Sequence, residues 1–160
     1  MRKFLLIAML SASGLAHCQT EEELCRQAQT AMTDNNYPEA IKAAGRALTK
    51  NPEAPCRRTR IDAALKAEPS SAYYLMAISD IDHLMDKGDK SENTVRMWAE
   101  AETGLAKLHF ENKNFPEAAK HYQKAKDAYT KAKGMSNSSS YDSQIANADN
   151  QIKQANAQKK

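Results

Sequence analysis

The sequence predicts an all-α protein built from antiparallel helical hairpins. Three observations carry that expectation. The 160 residues are 41% hydrophobic but only 6% aromatic, with five glycines and five prolines to interrupt them. Alanine is abundant and β-branched runs are nearly absent, and alanine and straight-chain residues keep their rotamer freedom in a helix. An Asn-aromatic-Pro-Glu-Ala stretch occurs twice, as Asn36 to Ala40 and Asn114 to Ala118. On both sides of each copy, apolar residues recur every three or four positions, the period of a helix with one buried face.

The first stretch, residues 1–18, reads as a secretory signal rather than as part of the fold. Arg2 and Lys3 precede an apolar run from Phe4 to about Leu10, and small residues follow up to Ala16. That run is too short for a permanent membrane span. Leu15-Ala16-His17-Cys18 resembles the lipobox of bacterial lipoproteins, in which the cysteine is acylated after cleavage. His17 departs from it, because that family has a small residue there. Two outcomes stay open at this boundary. One is release of a soluble protein starting near Gln19. The other is an acylated Cys18, the only route by which this chain is expected to meet a membrane. Loss of the leader removes Arg2 and Lys3 and no acid, taking the formal charge from +3 to +1. A nearly neutral chain with interspersed charges lacks the one-sided basic field of a nucleic-acid binder. Arg57, Arg58 and Arg60, its densest basic spot, read as a solvated helix face.

Leu24, Ala28 and Ala31 mark the first helix. The second opens at Pro38, favoured in a first turn because its missing N–H costs nothing there. Asn36, and Asn114 in the later copy, are the turn residues expected to tolerate unusual backbone angles. Ala40, Ile41, Ala44, Ala47 and Leu48 form the second helix's stripe, with Pro52 as its stop. A less regular hairpin follows. One helix starts near Pro55, carries Ile61, Ala64 and Leu65, and ends near Pro69. The next runs from about Ser70 through Tyr74, Ala77, Ile78, Ile81, Leu84 and Met85 to a stop at Gly88. Trp98, Leu105, Ala106 and Phe110 mark the first arm of the last hairpin. Ala118, Tyr122, Ala125 and Tyr129 mark its second arm. After a break at 134–140, Tyr141, Ile145, Ala148, Ile152 and Ala155 give one thin apolar seam on an otherwise polar helix.

These hairpins resemble the tetratricopeptide repeat (TPR), a unit of about 34 residues with a W-x2-L-G-x2-Y…A-x3-F…P pattern. In the first unit Leu24 takes the tryptophan place, Ala28 the glycine place, and Ala40 and Ala44 the A-x3-F pair. Ala47 to Pro52 matches the ending. In the later unit Leu105-Ala106 matches Leu-Gly, Ala118 and Tyr122 match A-x3-F, and Ala125 follows in place. Gln27 stands where leucine is expected and His109 where tyrosine is expected, and no proline closes the later unit. The resemblance implies a short right-handed α-solenoid of about three hairpins over 20–134. A linker at 135–140 and a capping helix at 141–157 would follow.

In this family the first helices of successive hairpins lie side by side. A full repeat step from Cys25 falls at Thr59, one turn past Cys56, so the resemblance implies a Cys25–Cys56 disulfide. It also implies a concave face that holds a peptide or protein partner. The candidates on it are Gln29, Met32 and Thr33 from the first unit and Thr103, Lys107 and Phe110 from the later one. The lysine-and-asparagine clamp that some members use for acidic C-termini is not evident, because Cys25 and Gln29 lie on that face.

No catalytic set stands out, so the chain is not expected to be an enzyme. It has no glycine-rich phosphate loop and no G-x-S-x-G elbow. His109 and His121 lie on opposite arms of one hairpin, where Glu111 or Glu117 could join them on a metal. Their spacing is not a compact zinc pattern, and no metal or cofactor is expected. Asp80, Asp82 and Asp86 read as a solvated face, and Met76, Met85 and Met97 as core filler. The expected function is an exported protein-interaction module. The alternative is an envelope scaffold, or a lipoprotein accessory of an outer-membrane or secretion assembly.

Overall fold

The structure, a computed structural model, describes residues 19–136 and 139–158. The expected leader, with Cys18, lies outside the described residues. Among the described residues seven α-helices follow one another: α1 (Glu21–Thr33), α2 (Tyr37–Lys50), α3 (Arg57–Lys66), α4 (Ser71–Asp86), α5 (Glu92–Glu111), α6 (Phe115–Ser136) and α7 (Asp142–Ala157). A single 3-10 turn, Ser139–Tyr141, leads into α7. Strands are absent among the described residues.

Local chemistry sets the helix starts. Thr20 and Glu23 form a capping box on α1: the Thr20 N–H donates to Glu23 Oε2 at 2.9 Å, and the Glu23 N–H donates to Thr20 Oγ1 at 3.2 Å. Asn36 Oδ1 accepts from the Glu39 N–H at 3.3 Å and caps α2, with Pro38 in the first turn. Ser91 does the same for α5 through the Thr94 N–H.

The repeated turn has one construction. The Asn36 N–H donates to Ala31 O and the Asn114 N–H to His109 O, both at 2.8 Å, while the residue before each donates three residues back. That is the Schellman ending, which needs a left-handed residue just past the helix. The left-handed residues are Asn35 (φ 56°) and Lys113 (φ 59°), not the expected Asn36 and Asn114. The asparagine that follows donates to the carbonyl five residues back, and at Asn36 it also caps the next helix. Gly88 (φ 92°) repeats the construction between α4 and α5.

Each helix packs on its neighbours in sequence, α1 also meets α3, and α3 also meets α5. First helices of successive hairpins therefore lie side by side, and the fold is an all-α helical-repeat solenoid. The core runs along the chain as successive clusters. One joins Leu24, Ala28, Ala43, Ala44, Ala47 and Leu48. Another joins Ile61, Ala64, Ala77, Ile81, Met97 and Ala101. Alanine dominates the crossings, so backbones approach closely and short side chains fill the seam at little rotamer cost.

Two small clusters show how a hairpin is closed. Ala31 and Ala40 of the first hairpin cluster with Ala63 of α3, with Met32 and Tyr37 against them. Ala106, Ala118, Ala119 and Tyr122 of the last hairpin cluster with Ala155 of α7, with Phe110 and Phe115 against them. Helix α7 thus stands to the last hairpin as α3 stands to the first. It occupies the place of a next first helix. Helix α6 continues through Gly134, where the sequence suggests a break, and ends at Ser136.

Candidate functional site

A groove of about 390 Å³ opens between the α3–α4 corner and α5. Leu65, Pro69 and Tyr74 form one wall. Glu100, Thr103, Lys107 and Glu111, spaced along one face of α5, form the other, and Tyr129 of α6 closes one end. Gly104 lies where the walls meet. A Cβ there would come within 2.3 Å of the Tyr74 ring, so only glycine lets that ring lie against α5. Thr103 Oγ1 donates to Ala99 O at 2.7 Å. Burial raises the Tyr129 phenol's pKa, against a hydrogen bond with the Thr103 side chain. Burial also raises Tyr74, and the Glu111 carboxylate adds to it. Glu100 is tied to Arg96. Lys107 and Glu111 are both exposed and hold no ion pair among the described residues.

The six candidate side chains fall into three settings. Thr103 and Lys107 line the groove. Gln29 and Thr33 are exposed on α1, where Gln29 Oε1 accepts from Thr59 Oγ1 of α3 at 3.3 Å and Thr33 Oγ1 donates to Gln29 O at 3.1 Å. Met32 and Phe110 pack inward. Met32 lies against the Ala31–Ala40–Ala63 cluster. Phe110 makes an edge contact with Phe115, centroids 5.3 Å apart, in the cluster that α7 completes.

Cys25 on α1 and Cys56, just ahead of α3, are bridged, with sulfurs 2.12 Å and Cα atoms 5.2 Å apart. Their pairing joins the tops of two neighbouring first helices, as the repeat step implies.

Two buried acids escape the sequence reading. Asp80 is 2% exposed, a correction to the solvated face expected for it, and it gathers two of the three arginines expected in solvent. Arg57 Nη1 donates to Oδ1 at 2.5 Å, and Arg60 donates through Nε to Oδ2 at 2.7 Å and through Nη2 to Oδ1 at 2.6 Å. Arg58 pairs with Asp89 instead. Charge in a helix seam needs such partners, since an unpaired buried carboxylate is costly. Glu102 is fully buried on α5. It receives His121 Nδ1 at 2.5 Å and Lys124 Nζ at 3.2 Å, both from α6. The His121 ring stacks on His109, centroids 5.2 Å apart and planes 5° from parallel. The signal that could reveal both acids is their place on an apolar stripe. Asp80 adjoins Ile81 and follows Ala77 by one turn, and Glu102 holds in its hairpin the place that Leu24 holds in the first.

The two imidazoles therefore serve a packed polar seam. Among the described residues, no three His, Cys, Asp or Glu side chains form a set that could hold a metal ion. No described helix is long and apolar enough to cross a membrane. The groove offers two tyrosine rings, an aliphatic wall, a hydroxyl, and two charges one helical turn apart that hold no ion pair among the described residues.

A model of the tetratricopeptide repeat family matches residues 92–133, which span α5 and most of α6. This hairpin is similar to the tetratricopeptide repeat family. TPR units generally mediate protein–protein interaction, and the matched hairpin is the one that carries the groove's α5 wall. No curated protein and no solved structure matches the chain.

Proposed function

We propose that this protein is an exported interaction module that holds a peptide or protein segment on the concave face of its TPR array. The observation that carries the reading is the groove along α5, which unites Thr103 and Lys107 with Tyr74 and Tyr129. Its volume is within the range of ligand-binding clefts. Gln29 and Thr33 extend the same face onto α1. The Cys25–Cys56 bridge supports export, because such bonds persist in oxidising compartments.

Site-specific photo-crosslinking tests this reading. A photoreactive residue at Lys107 is expected to capture a discrete partner in cells, whereas one at exposed Lys131 on α6 is not. Equal capture at both positions would remove the groove from the account. Mass spectrometry of the protein recovered from the cell envelope and the medium tests export. A new N-terminus near Gln19 fits a soluble exported module, and an uncleaved chain in the cytoplasm contradicts export. The Leu15-Ala16-His17-Cys18 stretch supports a second reading, in which an acylated Cys18 tethers the module to a membrane as a scaffold. A lipid mass on Cys18 distinguishes the two.

A further inference from the structure

The two unpaired charges in the groove carry a statement about what it selects. Lys107 and Glu111 are one turn apart on α5, both exposed at the groove wall. A lysine placed N-terminal to a glutamate at this spacing is the weaker orientation for a helical pair, and here the two do not join. Each charge is left free for a partner, while Glu100 beside them is already tied to Arg96. Four helical residues rise about 6 Å. In an extended chain, side chains on one side recur every second residue, about 6.6 Å apart. The two spacings match.

We propose that the groove selects an extended peptide segment with opposite charges two residues apart, its acid on Lys107 and its base on Glu111. This rests on the concave-face reading above. The aliphatic stems of such side chains would lie along Leu65, Pro69 and Leu108, and the Tyr74 ring offers a face to the base beside Glu111. A segment carrying two like charges meets one attraction and one repulsion in the same register. Two exposed ion pairs are worth little individually, so the selectivity is modest, about five-fold.

The test is a nitrogen-15 NMR titration of the full mature chain with three capped pentapeptides at millimolar concentration: Ala-Lys-Ala-Glu-Ala, Ala-Lys-Ala-Lys-Ala and Ala-Glu-Ala-Glu-Ala. The mixed peptide is expected to shift amides at 65–74 and 103–111 with a dissociation constant about five-fold lower than the other two. Lys107→Glu is expected to move the preference to the all-lysine peptide, and Glu111→Lys to the all-glutamate peptide. Both sites are exposed, and an otherwise unchanged amide spectrum verifies the fold. Equal shifts from all three peptides at the groove would overturn the charge selection and leave the groove reading intact. Absence of groove shifts with every peptide would overturn both.

Discussion

The first hairpin, α1–α2, and the last, α5–α6, share a turn and differ in almost everything that holds the turn in place. Asn35 and Lys113 take the same left-handed angle, and Ala28 and Ala106 are both fully buried at the crossing. Against that frame, fully buried Leu24 is answered by fully buried Glu102. Exposed Gln27 is answered by buried Leu105, and disulfide-bonded Cys25 by Thr103 in the groove. The difference shows which features make the repeat. Backbone proximity and the turn are constant, while the filling of each seam answers to its neighbours. Leu105 is covered because α5 has α3 and α4 beside it. Gln27 is exposed on the corresponding face of α1, where glutamine costs nothing.

Exchanging the two fillings has the largest expected effect. Leu24→Glu is expected to cost about 3–5 kcal/mol in urea unfolding. Ala43 stands where His121 does and offers nothing to the carboxylate, leaving only exposed Arg46, at the place of Lys124, to reach it. Glu102→Leu leaves His121 without its carboxylate but lets Lys124, already 43% exposed, turn to solvent, and is expected to cost less, about 1–3 kcal/mol. Equal destabilisation by the two substitutions would mean that the seams are not equivalent places.

Reduction of Cys25–Cys56 comes next. The bridge closes a loop of sequence separation 31, and its loss is expected to lower stability by about 2–4 kcal/mol. Hydrogen exchange should quicken in α1 and α2 first and leave α5 and α6 protected. Uniform loss of protection would show that the array melts as a single unit.

Gly104 probes the groove side of the last hairpin. Gly104→Ala puts a methyl group against the Tyr74 ring and is expected to cost about 1–3 kcal/mol. Combining it with Tyr74→Ala should recover part of that loss, measured as a double-mutant cycle. Additive losses would deny the contact.

The smallest effect separates the two turns themselves. Lys113→Gly relieves a left-handed lysine and is expected to raise stability by a few tenths up to about 1 kcal/mol. Asn35→Gly should gain less, because asparagine visits that region more readily. A larger gain at Asn35 would place the strain elsewhere.

Much of the fold was legible because turns and alanine stripes are local signals. Pro38 and Gly88, with the spacing of Ala40, Ala44 and Ala47, mark starts, stops and faces with little reference to the rest of the chain. The Cys25–Cys56 pairing was also within reach once the repeat step supplied the distance. The buried acids were not, because a charged side chain on an apolar stripe reads as solvent-facing until its partners are known, and those partners lie 19 to 23 residues away on other helices. The site was legible in part. Thr103 and Lys107 follow from the face of α5. The packing of half-buried Phe110 depends on the cluster that includes Ala155 of α7, and Tyr74 enters only through its contact with Gly104, a non-local event.

Every hairpin is closed by the first helix of the next, with α7 filling that role at the end. Methyl–methyl and methyl–aromatic nuclear Overhauser effects test it most directly. Effects are expected from the Ala63 methyl to the Ala31–Ala40 cluster and from the Ala155 methyl to the Ala106–Ala118–Tyr122 cluster. Effects at Ala63 without those at Ala155 would detach α7 from the array, and absence of both would contradict the stacking itself.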